Sequence, residues 1–572
     1  MILVFNKKLI LATSVYLIAY RLVFADTADD EYQRQRAREQ QLRERQEQAP
    51  DVHLQETPSQ TAIDRLNQNE TPCFSIDEIR LQGEDAEQFQ WALSAAFENR
   101  QGDSDEQLPL CLGSKGINLI MQRVQDAIIA KGYVTTRVLA QTQDLKTRVL
   151  TLTLIPGRIH SIRFADGTSA RAHVWNTLPA NAGDLLNLRD IEQALENFKR
   201  LPTVEADIQI TPAEGNNVKP GESDLVIQWR QAFPLRLSVS ADDSGSRPTG
   251  KYQGNVTTSL DHLLTLNDLF YLSFNHDLSG DNRDPHGTRG YTLHYSVPYQ
   301  YWLMSFTAAQ NHYHQTVAGA TRDYLYSGEN ETGEVKLSRL IYRDAKRKTS
   351  LSLRGWYRAS QNFINDTEVQ VQRRRMAGWD AGVSHKEFIG SASLDLNFNY
   401  KQGTRLMNAL PAPEELFNEG TARPTILLAD IQLNLPFQIA DQALRYTGYW
   451  RAQWNQTPLV PQDKLAIGSR FTVRGFDGER LLSAERGWII RNDLGFALAD
   501  TKQELYLGLD YGEINGPSIE KLVGNQIAGG VVGLRGGYKG LSYDLFMGRP
   551  ISKPKGYVTA DNTMGFSVNY SY

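Results

Sequence analysis

Cysteine is almost absent from this chain of 572 residues: Cys73 and Cys111 are its two, beside 7 Met and 10 His. So thin a supply excludes a disulfide-dense scaffold and any cluster of metal thiolates. Charge of one sign is lacking as well, since 61 Lys and Arg stand against 66 Asp and Glu, a net of −5. That balance excludes the broad basic footprint a nucleic-acid partner requires. Long apolar runs are missing beyond residue 19, and a mean hydropathy of −0.44 with 22% charged residues excludes a membrane protein of many helical spans. With 10% aromatic residues, 25 Tyr and 44 Gly, the chain is equally unlike a disordered one. Catalytic signatures are lacking too: no GxSxG, HExxH or P-loop pattern occurs. His312 and His314 share a strand face without a third metal ligand, and Gly280 to Pro285 reads as a polar loop rather than a calcium site. No catalytic residue, metal or cofactor is expected.

What is present begins with Lys7 and Lys8, the apolar run Leu9 to Ala19, and Val23-Phe24-Ala25, which together read as a secretory signal over residues 1–25. The alternative is a membrane anchor, for which Arg21 and the polar sequence from Asp26 leave the apolar run too short. Without Lys7, Lys8 and Arg21 the balance is 58 basic against 66 acidic residues, −8. Both cysteines then lie in an oxidising compartment, and a Cys73–Cys111 disulfide is expected, contributing about 3–4 kcal/mol in the chain-entropy model. Two buried thiols or half of a metal site are the alternatives, the latter without partners at zinc-like spacing.

Residues 26–49 are rich in Gln, Glu and Arg, with Asp29, Asp30 and Glu31 at the start and Arg43 and Arg45 near the end, a polarity that suits a helix dipole. No apolar stripe recurs at helical spacing. As a helix the segment needs polar walls, and the alternative is a solvated tail. Residues 50–71, among Pro50, Pro58 and Pro72, read as a flexible linker. From Cys73 to Arg230 a β-α-α-β-β pattern occurs twice. In the first copy Phe74 to Leu81 is strand-like, 85–97 and 115–130 are helical with Ile117, Ile120, Met121, Val124 and Ile128 on one face, and Val134 to Ala140 pairs with Arg148 to Ile155. The second runs from Ile159 to Phe164 through helical patterns at 170–178 and 188–200, and closes with Val204 to Ile210 and Leu225 to Trp229. The modules are bounded at 72–156 and 157–231.

Beyond Phe233 the period becomes two. Leu394, Leu396, Phe398 and Tyr400 alternate with Asp395, Asn397 and Asn399, and Met564, Phe566, Val568, Tyr570 and Tyr572 carry the pattern to the last residue. One face is apolar and the other polar, as in a transmembrane β-barrel with a wet lumen. A soluble sandwich also alternates, but its dry core would reject these charges and amides, and Tyr and Trp gather near strand ends as in an interfacial girdle. At roughly 20–22 residues per strand and connection, 232–572 holds about 16 antiparallel strands.

Phe471-Thr472-Val473-Arg474-Gly475-Phe476-Asp477-Gly478 precedes a strand-like run from Gly487 to Asp493. Downstream, Leu505, Leu507, Leu509 and Tyr511 form an outward phase, so Gly508, Asp510 and Gly512 point into the lumen and leave room for an arginine on a returning loop. At these residues the chain resembles the Omp85 superfamily, and within it the TpsB transporters of two-partner secretion. Val473-Arg474-Gly475-Phe476 resembles that family's loop-six VRGF motif, and Gly508-Leu509-Asp510-Tyr511-Gly512 its [FG]xDxG motif. The likeness extends over signal, polar helix, linker, two POTRA modules and barrel, and Val473 to Asp493 is most similar to the branch of contact-dependent inhibition (CdiB) and haemolysin transporters.

The resemblance implies that Arg474 pairs with Asp510 inside the lumen and that the helix at 26–49 plugs the pore at rest. It also implies an outer-membrane location in a Gram-negative bacterium with the POTRA modules in the periplasm, and a monomer that meets outer-membrane lipid and the barrel assembly machinery during insertion. The implied partner is one large TpsA- or CdiA-like exoprotein, captured by strand addition to a POTRA sheet edge and exported unfolded. Nucleic acid is not expected as a partner. An assembly factor of the same superfamily is the alternative, though such proteins carry more POTRA modules and no polar plug. A passive porin has no need of 73–230, and an enzyme lacks its residues.

Overall fold

A computed structural model describes residues 28–48, 50–54, 66, 70–97, 108–215, 218–279, 285–319, 322–499 and 501–572. The expected signal at 1–25 and most of the linker at 50–71 lie outside the described residues. Residues 28–46 form one helix, α1.

The first α+β module is a three-stranded sheet in which Glu78–Gly83 runs parallel to Val149–Ile155, itself antiparallel to Arg137–Leu139. Helix α2 (Ser114–Ala130) and the 3-10 helix Ala86–Phe97 lie against it. The 3.6-residue stripe explains the packing, since Ile120, Val124 and Ile128 are fully buried against Phe89, Leu150 and Leu152. The run expected from Phe74 to Leu81 is broken at Asp77, whose carboxylate takes Arg148 Nη2 at 2.6 Å. Phe74–Ile76 therefore pairs with Leu110–Leu112 instead. Cys73, just ahead of that small ribbon, and Cys111, in the middle of its second strand, are joined by a disulfide, with Cα atoms 5.4 Å apart.

In the second module Glu222–Gln231 is the central strand, parallel to Arg158–Phe164 and antiparallel to Val204–Pro212. Helix α3 (Leu188–Lys199) starts where the Asn187 side chain accepts from Arg189 N, and it buries Ile191, Leu195 and Phe198. The helix expected at 170–178 is absent; the segment runs in turns. A single turn closes, Thr177 N and Leu178 N donating to Val174 O at 3.0 Å, and it is not continued: Asn176 Nδ2 donates to Leu266 O at 2.6 Å and Gln300 N donates to Asn176 O at 2.7 Å, both on turns of the next domain.

Among the described residues, sixteen antiparallel strands close the barrel from the first, Leu235–Asp242, to the last, Thr563–Ser571. Each of the longer strands exceeds the roughly 9–11 residues a tilted strand needs to cross a bilayer. The pleat sorts their side chains. On the thirteenth strand (Gln503–Asn515) Leu505, Leu507 and Leu509 face outward, 42 to 55% exposed, while Tyr506 and Asp510 are buried inside. Closure is thin: only Ser567 to Ser571 pair with Ser238 to Asp242, and beyond them Leu237 and Tyr572 exchange backbone bonds of 3.2 and 2.9 Å.

Candidate functional site

The connection 456–485, between the eleventh strand (Gln442–Asn455) and the twelfth (Arg486–Ala497), turns back into the lumen. Arg474 Nε and Nη2 each donate to one oxygen of Asp510 at 2.8 Å, and the Arg474 backbone N–H donates to the same carboxylate at 2.9 Å. Nη2 also reaches Asp493 on the twelfth strand at 2.5 Å. Arg474 and Asp510 are nearly inaccessible, 4 and 1% exposed, so this is a bidentate ion pair withdrawn from bulk water. Asp493 is shared with Arg535 Nη1 at 3.0 Å, and that guanidinium lies 4.6 Å from the centre of the Tyr506 ring. Removing one member of a buried pair costs up to about 3–5 kcal/mol, and here the loss is softened because Asp493 still faces Arg474 and Arg491 Nε stands 3.8 Å from Asp510.

Glycines make the close approach possible. A Cβ on Gly508 would stand 2.7 Å from Arg474 Nη2, and one on Gly512 2.8 Å from the Val473 side chain. Gly529 and Gly548, on the fourteenth (Gln526–Tyr538) and fifteenth (Leu541–Ser552) strands, let the Arg474 carbonyl and Gly475 lie directly on the wall. Gly475 has φ +92°, a conformation a side chain disfavours. Val473 and Phe476 then enter a small apolar cluster with Ile467, Leu482, Ile489, Ile514 and Tyr557.

The connection is held a second time. Asp463 accepts from both Arg358 Nη1 (3.0 Å) and Nη2 (2.6 Å) on the seventh strand (Arg347–Ile364), and from Lys401 Nζ (2.9 Å) on the ninth (Ala392–Thr404). Helix α1 lies on this node and across the lumen. The Arg358 guanidinium sits 5.5 Å over the Tyr32 ring, Gln33 Nε2 donates to Gln462 O and Lys464 O, and Arg34 Nη2 donates to Gly478 O. Against the wall, Arg43 pairs with Glu334, Tyr271 donates to Glu47, and Ser259 donates to Gln46. Arg45 reaches Ser567 on the last strand and Gln46 reaches Ser238 on the first. The helix thus meets mostly polar walls with polar residues, with an apolar contact where Ala28 packs against Tyr313 and Tyr326.

Beyond α1 the chain is clamped at the rim. Val52 N donates to Glu196 (2.8 Å) and Leu54 N to Glu192 (2.9 Å) of α3, while Arg343 Nη2 donates to Val52 O (2.7 Å) and Asp51 takes Lys348 and Lys386 at 2.8 Å each. Arg343 itself binds Glu192 and Glu196 at 3.0 Å. Nearby, Tyr301 donates to Asp190 of α3, whose carboxyl is pushed up to about 6 by burial. Sequence reasoning named Val473, Arg474, Gly475, Phe476, Gly508, Asp510 and Gly512, and the fold brings all seven together. It missed Asp493, Arg535, Asp463, Arg358, Lys401, Gly529 and Gly548. For all of these but Asp463, which lies on the connection itself, the inward phase of their strands was the available signal, but which inward groups meet is set by barrel register. His312 and His314 take no part, and no metal-binding group of three occurs among the described residues.

A closed barrel with an apolar belt, a polar lumen occupied by its own helix and loop, and α+β modules ahead of it defines an outer-membrane protein transporter. The family model for haemolysin secretion/activation proteins ShlB/FhaC/HecB matches residues 221–536, a ShlB-type POTRA model matches 74–157, and a further POTRA model 158–212. The chain belongs to this ShlB/FhaC/HecB family, the outer-membrane transporters of two-partner secretion, with its POTRA domains in the periplasm. It is 36% identical over 558 residues to the outer membrane transporter CdiB-2 of Burkholderia pseudomallei (strain 1026b), covering 95% of this chain and 94% of that one. The hemolysin transporter protein ShlB of Serratia marcescens is 24% identical over 406 residues, 71% of each chain. The structure of CdiB from Acinetobacter baumannii is similar at a TM-score of 0.82 and 30% identity, over 96% of this chain and 99% of that one.

Proposed function

We propose that this transporter exports one large exoprotein of the contact-dependent inhibition or haemolysin type, unfolded, through a lumen that α1 closes at rest. The observation that carries the reading is the polar helix seated across the pore by bonds to the walls and to the 456–485 loop. In this account 1–25 is an export signal, 26–49 the plug, 50–71 its linker, 72–156 and 157–231 the two POTRA domains, and 232–572 the barrel. The Arg474–Asp510 pair locks the loop, and both plug and lock yield when the client enters. The client's N-terminal secretion domain adds a strand to a POTRA sheet edge; the outer edge of Val204–Pro212 pairs with no other strand among the described residues. Folding of the client outside supplies the direction. The transporter works as a monomer in outer-membrane lipid after insertion by the barrel assembly machinery.

The test is co-expression with the large exoprotein encoded beside its gene. Exoprotein at the cell surface or in the medium that depends on this chain supports the reading. Exoprotein retained in the periplasm, with other outer-membrane proteins misassembled on deletion, replaces it with an assembly function.

A further inference from the structure

The segment 170–178, where turns replace the expected helix, leaves one large side chain without cover: Trp175 is 56% exposed although its neighbours Asn176 and Thr177 are buried. Its ring lies 6.1 Å from that of Tyr299, the last residue of the fourth barrel strand (Gly287–Tyr299). Tyr299 belongs to the outward phase that includes Tyr291 and is 50% exposed. Across the hairpin it pairs with Trp302, also outward, and Trp302 pairs with Arg339, whose guanidinium sits 5.0 Å over the indole. The neighbouring turn, held to this segment by Arg171 Nη2 donating to His262 O, exposes Leu263 and Leu264. Aromatic rings, leucines and an arginine at the periplasmic rim are the chemistry of a lipid headgroup boundary, where an indole buries its ring and keeps its N–H wet while a guanidinium meets phosphate.

We propose that Trp175 carries the barrel's aromatic girdle onto the second POTRA domain and docks that domain into the headgroup layer of the periplasmic leaflet, with phospholipid as the occupant. Continuity with the lipid-facing belt is what assigns the patch to lipid rather than to the client. The contact sets the tilt of the domain under the pore, so that α3 and the clamped segment 50–54 stay at the lumen mouth. Because α3 is bonded to the barrel through Asn197 Nδ2 to Gln300 O at 2.8 Å, a fixed tilt is transmitted to the rim.

The test compares the full-length protein with Trp175→Phe in phosphatidylethanolamine/phosphatidylglycerol vesicles, both checked for folded barrel by heat-modifiable gel mobility. The difference in their fluorescence isolates Trp175. Expected is a component quenched several-fold more strongly by a spin label at the lipid headgroup than by one near the acyl terminus, and shielded from aqueous iodide. A component open to iodide and indifferent to both lipid labels overturns the proposal. So does shielding that appears only when the client's purified secretion domain is added, which would assign the patch to the client. A Trp175→Lys chain serves if the Phe variant misfolds, with the same three readings. None of these readings depends on export, so the failure of either proposal is separable from the other.

Discussion

Arg474 is held by three bonds to one carboxylate and one to another, and the unequal sharing predicts unequal losses. Arg474→Ala and Asp510→Ala each reduce client secretion while the barrel still inserts, and the double variant is hardly worse than either; additive losses would break the pairing. Arg474→Lys keeps the charge but not the two-pronged geometry, so it falls between parent and Ala. Asp493→Asn costs less than Asp510→Asn, since Asp493 carries one of the four bonds. The glycines give a sharper contrast. A Cβ at Gly529 overlaps the Arg474 carbonyl, whereas one at Gly333 meets nothing. Surface exoprotein per folded barrel should drop several-fold for Gly529→Ala and stay unchanged for Gly333→Ala. At this scale the sequence was legible where a residue stood in a motif, as Arg474 and Asp510 do. Asp463, Arg358 and Lys401 stood in none, being separated by up to about a hundred residues and joined only when strands seven and nine curl round to face the same loop.

At the scale of elements, amphipathic periodicity located α2, α3 and the alternating strands, because each of those segments buries one face. It failed at 170–178, where helical spacing is present but Asn176 and its neighbours bond to barrel turns, a tertiary demand that local pattern does not encode. The docking of α3 has a pH signature. Burial raises the Asp190 carboxyl to about 6 from an ordinary value of about 3.9, so the docked state holds the extra proton. Its stabilising share is therefore full below about pH 4 and is lost as pH rises through about 6. Hydrogen exchange at α3 amides checks this: at neutral pH Asp190→Asn is better protected than the parent, and the difference closes near about pH 4. A difference that widens on acidification contradicts the assignment.

For the molecule as a whole, α1, the proposed plug, is also a brace. Deleting 28–46 should raise single-channel conductance in planar bilayers, and an unchanged pore removes the plug assignment. The same deletion withdraws Arg45 and Gln46 from the two strands of the shortest pairing, Ser238 to Asp242 with Ser567 to Ser571. The truncated barrel is therefore expected to lose its folded gel mobility at a lower temperature than the parent. That double contact also imposes an order in time. The helix lies early in the sequence and the last strand late, yet one touches the other, so the Arg45 contact with Ser567 forms only once that strand is in place. Until Tyr572 finds Leu237, the hoop has no fixed seam for the helix to span, and an unfinished barrel lacks the two ties that Arg45 and Gln46 would make across it.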